Sequence, residues 1–244
     1  MNNESTATLI QQVIHRNNVG VRLLMKQKSQ AAVRHFSQCV ALLARVNGDA
    51  PTASSSGPLH LASTPIPGMD DDCFYVHNQA LFLNQTIVTT SRDLTILVLL
   101  FNLGLAYHQS GMAHNDPARI EKALTLYQAL RANVHRRQDR QLQDGGNATQ
   151  GGVATSLETC KQALALCALN NQVHIWYRLR RDDDDATSLF LSPPLFRMAA
   201  DLLYSAVAMG QTSSSSWVHP LQLDDMVINV HTMTSSTLVA APAA

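Results

Sequence analysis

The residues with metal-binding potential lie near the middle of the chain. His108, His114 and Asp116 could supply imidazole and carboxylate ligands to a metal ion. They straddle a predicted helix end and a loop, however, and their spacing matches no standard site. Acidic runs at 70–72 and 182–185 lie in predicted loops, and the second lacks the Gly and Glu positions of a calcium loop. We therefore predict surface histidines and solvated acidic loops, without a metal ion or cofactor.

Sequence motifs of several enzyme classes are missing. The chain contains no G-x-S-x-G, G-x-x-x-x-G-K-[ST], H-E-x-x-H or G-x-G-x-x-G pattern. No two carboxylates can be assigned separate acid and base roles. Three of the four cysteines lie in helical apolar patterns, where a reduced Cys acts as a small hydrophobe. We predict that the protein is not an enzyme. A site assembled from distant loops is the alternative that sequence spacing leaves open.

The charge balance argues against a general attraction to polyanions. The 244 residues carry 18 Lys and Arg against 18 Asp and Glu. Positive charge is concentrated in residues 1–50, which contain two acidic residues, Glu4 and Asp49, and six basic residues: Arg16, Arg22, Lys26, Lys28, Arg34 and Arg45. We interpret them as solvated faces and helix C-termini. A second run at 131–140 contains Arg131, Arg136, Arg137 and Arg140. It makes RNA binding an alternative function, although aromatic residues amount to only 5% of the chain.

One apolar stretch raises the question of a membrane span. Residues 94–107 read LTILVLLFNLGLAY, which falls short of the roughly 20 apolar residues that a spanning helix needs. We predict a helix buried on nearly every side, with a transmembrane helix as the alternative. The start, MNNESTATLI, has neither the basic nor the apolar region of a secretory signal. We therefore expect a cytoplasmic protein, and a nuclear location stays open.

Apolar periodicity and capping residues predict a mainly α-helical fold. Helices are expected at 7–26, from Ser29 to about residue 47, at 92–110, 117–137, 155–179 and 193–210, with Gly111 ending the third. The Pro-, Ser- and Gly-rich residues 48–72 predict a flexible loop. Residues 73–89 predict a short β arm within a helical region that extends to residue 210. The tail, 211–244, could form one strand.

Small and aromatic residues recur at fixed spacings in these helices. The first unit, a helix hairpin over 1–47, contains Gly20, Leu23, Ala32, Phe36 and Cys39. The second contains Leu103, Gly104, Tyr107, Gly111, Ala123 and Tyr127. A degenerate third unit has Val173 and Trp176 in its first helix, and residues 197–209 form its second helix. These spacings resemble the tetratricopeptide repeat, a pair of antiparallel helices called A and B. The resemblance covers about half of the chain, and its intervals of 84 and 69 residues are not the regular 34.

The resemblance implies a packing scheme and a binding surface. The expected core includes Phe36, Leu103, Tyr107, Tyr127 and Leu130. In tetratricopeptide folds the A helices line a concave groove that holds a peptide or a helix. The register places the following residues on that groove: Asn17, Asn18, Asn102, His108, Asn170, Asn171, His174 and Arg178.

Asparagine stands at the same register in all three units. A side-chain amide offers an acceptor and two donors, so it can pair with both polar groups of a backbone unit. The resemblance adds that some tetratricopeptide grooves use such an asparagine ladder to hold peptides. We therefore predict a protein–protein interaction module. The alternative is that these asparagines are structural and bond to the backbone of a neighbouring helix or loop.

Overall fold

The computed structural model describes residues 6–45, 64–65, 75–143 and 153–181, together with residues 197, 198, 200, 201 and 204. Within these residues the chain is mainly α-helical, which confirms the predicted fold class. The helices are α1 (Thr6–Met25), α2 (Ser29–Arg45), α3 (Gln85–Thr90), α4 (Arg92–His114), α5 (Pro117–Gln143) and α6 (Val153–Arg181). Most of the predicted loop at 48–72 and the whole tail at 211–244 lie outside the described residues.

The chain divides into two compact units. The first comprises residues 1–60 and 79–165, and the second comprises residues 61–78 and 166–244. The boundary at 165–166 falls inside α6, while the boundary at 78–79 falls in the extended stretch before α3.

In the first unit, α1 and α2 form a hairpin with a close helix–helix contact at Gly20. A Cβ atom built on Gly20 would lie 2.6 Å from Cε1 of Phe36, whose side chain is fully buried. The ring of Phe36 therefore lies directly on the α1 backbone, in the space that a side chain at position 20 would occupy. The hairpin turn passes through Gln27 in the left-handed region at φ 57°, and Lys28 N donates to Leu23 O at 2.8 Å.

Helices α4 and α5 form a second hairpin with the same contact. A Cβ atom on Gly104 would lie 2.8 Å from Cε1 of the fully buried Tyr127. Leu103 and Leu130 are buried as expected, but the prediction for Tyr107 is wrong. Tyr107 is only half-buried, with Lys122 Nζ 5.6 Å above its ring, because Tyr127 already fills the space next to Gly104.

The connection between α4 and α5 differs from the predicted one. Gly111 does not end α4, which continues to His114 and is capped by Asn115 in the left-handed conformation at φ 47°. Gly111 instead permits a close approach, since a Cβ there would lie 2.7 Å from Cγ1 of Ile120. Asp116 and Pro117 start α5 as predicted, and Asp116 Oδ1 accepts from Arg119 N at 3.2 Å.

Helix α4 is the central helix of the first unit and packs against α2, α3 and α5. Among the described residues it is the one helix with the length and apolar composition to cross a membrane, and 67% of its apolar window is buried inside the structure. That burial is typical of a core helix. Ser91 caps the N-terminus of α4, because its Oγ accepts from the backbone N–H of Leu94 at 3.1 Å.

The predicted β arm at 73–89 is helical over its last part. Residues 77–84 are neither helix nor strand, and α3 then begins at Gln85 because Asn84, whose backbone is extended, caps it: its Oδ1 accepts from Ile87 N at 2.8 Å. Among the described residues of the arm, 75–89, strand pairing occurs at Tyr75–Val76, which belongs to the second compact unit. There β2 (Tyr75–Val76) pairs antiparallel with β1 (Thr64–Pro65), each two residues long.

Candidate functional site

Two of the predicted groove asparagines in the first compact unit each bind one residue of the segment that precedes α3. On α1, Asn18 Oδ1 accepts from Leu83 N at 2.9 Å, and Asn18 Nδ2 donates to Leu83 O at 2.9 Å. On α4, Asn102 Oδ1 accepts from Leu81 N at 2.8 Å, and Asn102 Nδ2 donates to Leu81 O at 2.8 Å. Each amide thus pairs with both main-chain groups of a single residue.

Asn17 links these two pairs. Its Nδ2 donates to Leu81 O at 3.0 Å and to Asn18 Oδ1 at 3.1 Å, and its Oδ1 accepts from Asn102 Nδ2 at 2.9 Å. Asn17 and Asn102 are completely buried, so every amide group that finds no partner here would carry a desolvation cost. We call Asn17, Asn18 and Asn102 the asparagine clamp, and residues 79–84 the clamped segment.

In the clamped segment the two clamped residues, Leu81 and Leu83, are buried, and Phe82 between them is exposed. Ala80, Leu81 and Leu83 are each at most 3% exposed, whereas Phe82 is 44% exposed. The clamp hydrogen bonds contact only main-chain atoms of Leu81 and Leu83, so they carry no information about side-chain identity. Selectivity along this segment therefore comes from the apolar space that holds Leu81 and Leu83.

The second compact unit contains an equivalent asparagine–backbone pair. Asn171 Oδ1 accepts from His77 N at 3.0 Å, and Asn171 Nδ2 donates to His77 O at 3.0 Å. Asn18, Asn102 and Asn171 each stand two positions before Gly20, Gly104 and Val173, the residues that align in the repeat register. The register that was derived from sequence spacing therefore selects three amides with the same hydrogen-bonding geometry.

The remaining predicted groove residues have varied surroundings. Asn170 and His174 in the second unit are buried, and Arg178 is half-buried. His108 lies edge-on to the Tyr127 ring, with centroids 6.1 Å apart, and burial lowers the pKa of His108 to about 3. This imidazole is therefore neutral and enclosed, and a ligand on the helix surface could not reach it.

The side chains with catalytic or metal-binding potential are engaged elsewhere. His114 Nδ1 lies 2.9 Å from Ser110 O, and Asp116 forms an ion pair with Arg119 at 2.9 Å. With His108 buried against Tyr127, these three candidate ligands do not converge. Burial raises the pKa of Cys39 to about 12 and also raises the pKa of Cys160 and Cys167. These thiols stay protonated at neutral pH and cannot act as nucleophiles.

The basic run at 131–140 lies at the end of α5. Arg136 is exposed and its Nε donates to Ala132 O at 3.3 Å, while Arg131 is half-buried. The side chains of Arg137 and Arg140 lie outside the described residues. The described part of this run therefore supplies one exposed guanidinium, which is a weak basis for RNA binding.

Comparison with protein-family models, with curated proteins and with solved structures finds no match to this chain. The likeness to tetratricopeptide repeats therefore depends on the spacings quoted above and on the two glycine–aromatic contacts. Sequence reasoning identified the asparagines, and its alternative placed them on the backbone of a neighbouring helix or loop, as they are here, but it did not identify residues 79–84 as that segment. A weak signal for it was the alternation of Ala80, Phe82 and Asn84 with Leu81 and Leu83 ahead of a capping asparagine.

Proposed function

We propose that this protein is a non-catalytic, intracellular protein-interaction module that recognises the main chain of an extended segment. One observation supports the proposal most directly: the asparagine clamp binds both main-chain groups of Leu81 and of Leu83. In the structure the bound segment belongs to the same chain. A partner segment would therefore act by exchange with residues 79–84.

The surroundings of the clamped segment define the class of partner. Two residues at positions i and i+2 are buried and clamped, and the residue between them faces solvent. A suitable partner is an extended peptide with leucine-type side chains at alternate positions, because successive side chains of a strand point to opposite faces. Proline is excluded at both clamped positions, since it lacks the N–H that Asn18 or Asn102 accepts.

The internal segment makes the exchange competitive. A tethered segment acts at an effective concentration in the millimolar range, so a free peptide with the same contacts binds the intact chain weakly. Burial of Leu81 and Leu83 adds about 1.5–3 kcal/mol for each side chain. A physiological partner must therefore make contacts beyond those of the clamped segment, and Phe82 is the neighbouring exposed apolar side chain.

The test replaces residues 79–83 of the full chain with glycine and serine and supplies a synthetic peptide with the sequence of residues 78–85. We expect the peptide to bind this emptied variant at least tenfold more tightly than it binds the wild type, as measured by calorimetry. The matched control peptide carries N-methylleucine at the position of Leu81, which keeps the side chain but removes the N–H that Asn102 accepts.

Either state of the emptied variant gives a decision. If it stays folded, sensitivity to N-methylation supports the proposal, and no binding or N-methyl-insensitive binding contradicts it. If it unfolds, recovery of helical circular dichroism on addition of the unmodified peptide supports the proposal. Failure to recover would mean that the asparagines act only within the intact chain, as structural residues.

A further inference from the structure

The α1–α2 hairpin carries positive charge alone. Residues 6–45 contain six Lys and Arg and no Asp or Glu, within a chain whose formal net charge is zero. A hairpin of this kind produces a positive potential at its surface, which attracts anionic ligands. The six cations of this hairpin therefore have no carboxylate on the same element.

An open pocket lies between α1 and α2. It has a volume of about 400 Å³ and is lined by Thr8, Gln11, Gln12, His15, Arg16 and His35. These side chains provide hydroxyl, amide, imidazole and guanidinium groups, and no carboxylate is among them. The first five lie on one face of α1, and His35 faces them from α2.

The Arg16 guanidinium, which lines this pocket, has a hydrogen-bond partner on α2. Arg16 Nη1 on α1 donates to Gln38 Oε1 on α2, and Gln11 Nε2 at the pocket wall donates to Gln85 Oε1 of α3 at 3.3 Å. Gln38 is a neutral partner, so the charge of Arg16 is not compensated by it. A guanidinium fixed in this way keeps further N–H donors for an oxyanion, and such charge-assisted bonds are the stronger kind.

His35 responds to the same positive field. Burial, and then the charges of Arg16 and His15, lower the pKa of His35. Its Nδ1 is buried and has no hydrogen-bond partner among the described residues. Burial and the neighbouring positive charges therefore disfavour the imidazolium form of His35. A bound anion would favour that form and raise the pKa of His35.

We propose that His15, Arg16 and His35 bind a phosphate group, with Arg16 as the principal hydrogen-bond donor. The tetrahedral dianion matches the donor set, because guanidinium and imidazolium groups donate while the Gln and Thr side chains complete the hydrogen bonding. The group can belong to free inorganic phosphate or to a phosphorylated side chain of a peptide. This inference does not depend on the asparagine clamp, which uses Asn17 and Asn18 of α1 instead.

The test follows the histidine imidazole resonances of the full chain by NMR at constant ionic strength. The probes are inorganic phosphate and N-acetyl-phosphoserine amide, with chloride as the reference anion. We expect both probes to shift the resonances of His15 and His35 and to raise the pKa of His35, because a dianion favours the imidazolium form. His108 should not respond, since it is buried against Tyr127.

A pair of variants separates a formed site from the general field of the hairpin. Arg16→Gln removes the central guanidinium, and Arg22→Gln removes an exposed cation of the same helix outside the pocket. We expect Arg16→Gln to weaken phosphate binding about tenfold or more, and Arg22→Gln to change it less than about threefold. Tighter binding of phosphoserine than of phosphate would assign the site to a phosphorylated partner, and the reverse order to a free anion. Unmoved histidine resonances, or equal losses in both variants, would overturn the proposal.

Discussion

The two hairpins of the first unit use the same residues in different surroundings. In α1–α2, Gly20 lies against Phe36 and Asn18 binds Leu83; in α4–α5, Gly104 lies against Tyr127 and Asn102 binds Leu81. Helix α1 has an exposed face, however, whereas α4 is buried over most of its surface. Asn18 is half-buried and Asn102 is completely buried. From this difference in burial we expect the same hydrogen-bonding pattern to contribute more stability at Asn102 than at Asn18, because the cost of losing a hydrogen bond rises with desolvation.

The largest expected effect tests what the hairpins share. Tyr127→Ala and Phe36→Ala should each lower the free energy of unfolding by about 3–5 kcal/mol, since both rings are fully buried on a helix backbone. Tyr107→Ala is the matched control in the same hairpin, and its cost should be well below that of Tyr127→Ala because Tyr107 is half-buried. Urea unfolding followed by circular dichroism measures all three. A Tyr107→Ala cost equal to that of Tyr127→Ala would contradict the packing described here.

A smaller effect should separate the hairpins at their asparagines. Asn102→Ala leaves Leu81 N–H and Asn17 Oδ1 without their partner in a buried place, which should cost about 2–4 kcal/mol. Asn18→Ala leaves the main-chain N–H and C=O of Leu83 without their partner at a half-buried position. Water can take the place of the amide there, so the loss of stability should be about 1 kcal/mol. The same unfolding measurement checks the order. Equal costs for the two variants would show that burial does not set the strength of the clamp.

The third effect depends on pH and belongs to the second hairpin alone. His108 stands four residues after Gly104, where α1 has Leu24, and its pKa is about 3 in the folded state against 6.5 for an ordinary histidine. The unfolded chain therefore binds more protons between these values, so stability is fully present above pH 6.5 and is lost as the pH falls toward 3. By pH 4.5, two units below the unfolded pKa, this loss should be about 2.7 kcal/mol.

His108→Gln should remove that part of the pH dependence. The measurement compares unfolding free energies of the wild type and the variant at pH 7 and pH 4.5. Leu24→Gln, at the matching position of the first hairpin, provides the control, because it introduces the same amide without removing a titrating group. An unchanged difference between the two pH values in His108→Gln would assign the acid sensitivity to other residues.

The sequence predicted those features of the fold that depend on local spacing. The burial of Phe36 and Tyr127 and the start of α5 at Asp116–Pro117 follow from residues close together in the chain, whereas the contacts of these rings with Gly20 and Gly104 were not predicted. The register also brought out Asn18, Asn102 and Asn171, which share one hydrogen-bonding geometry. Tyr107 and Gly111 were misassigned, because packing against Tyr127 and Ile120 decided their roles rather than their positions in the motif.

The partner of the asparagines could not be predicted in the same way. Leu83 and Asn18 are 65 residues apart, and Leu81 and Asn102 are 21 apart, so no local pattern relates them. An extended segment with alternate apolar residues can fill many half-buried places. An amide that suits a foreign peptide also suits a segment of its own chain, since it contacts only the main chain. Residue types alone do not separate these two uses.

The separation between the clamp and its segment also has a consequence for the order of folding. Hairpins such as α1–α2 and α4–α5 close over short stretches of chain and can form early, because little loop entropy is lost. The segment at residues 79–84 lies between them in sequence and has no place to bind until Asn18 and Asn102 have both been positioned. We therefore expect its docking to follow the main folding barrier. Loss of the clamp should then accelerate unfolding and leave the folding rate nearly unchanged, so that these three asparagines govern how long the native state persists rather than how quickly it is reached.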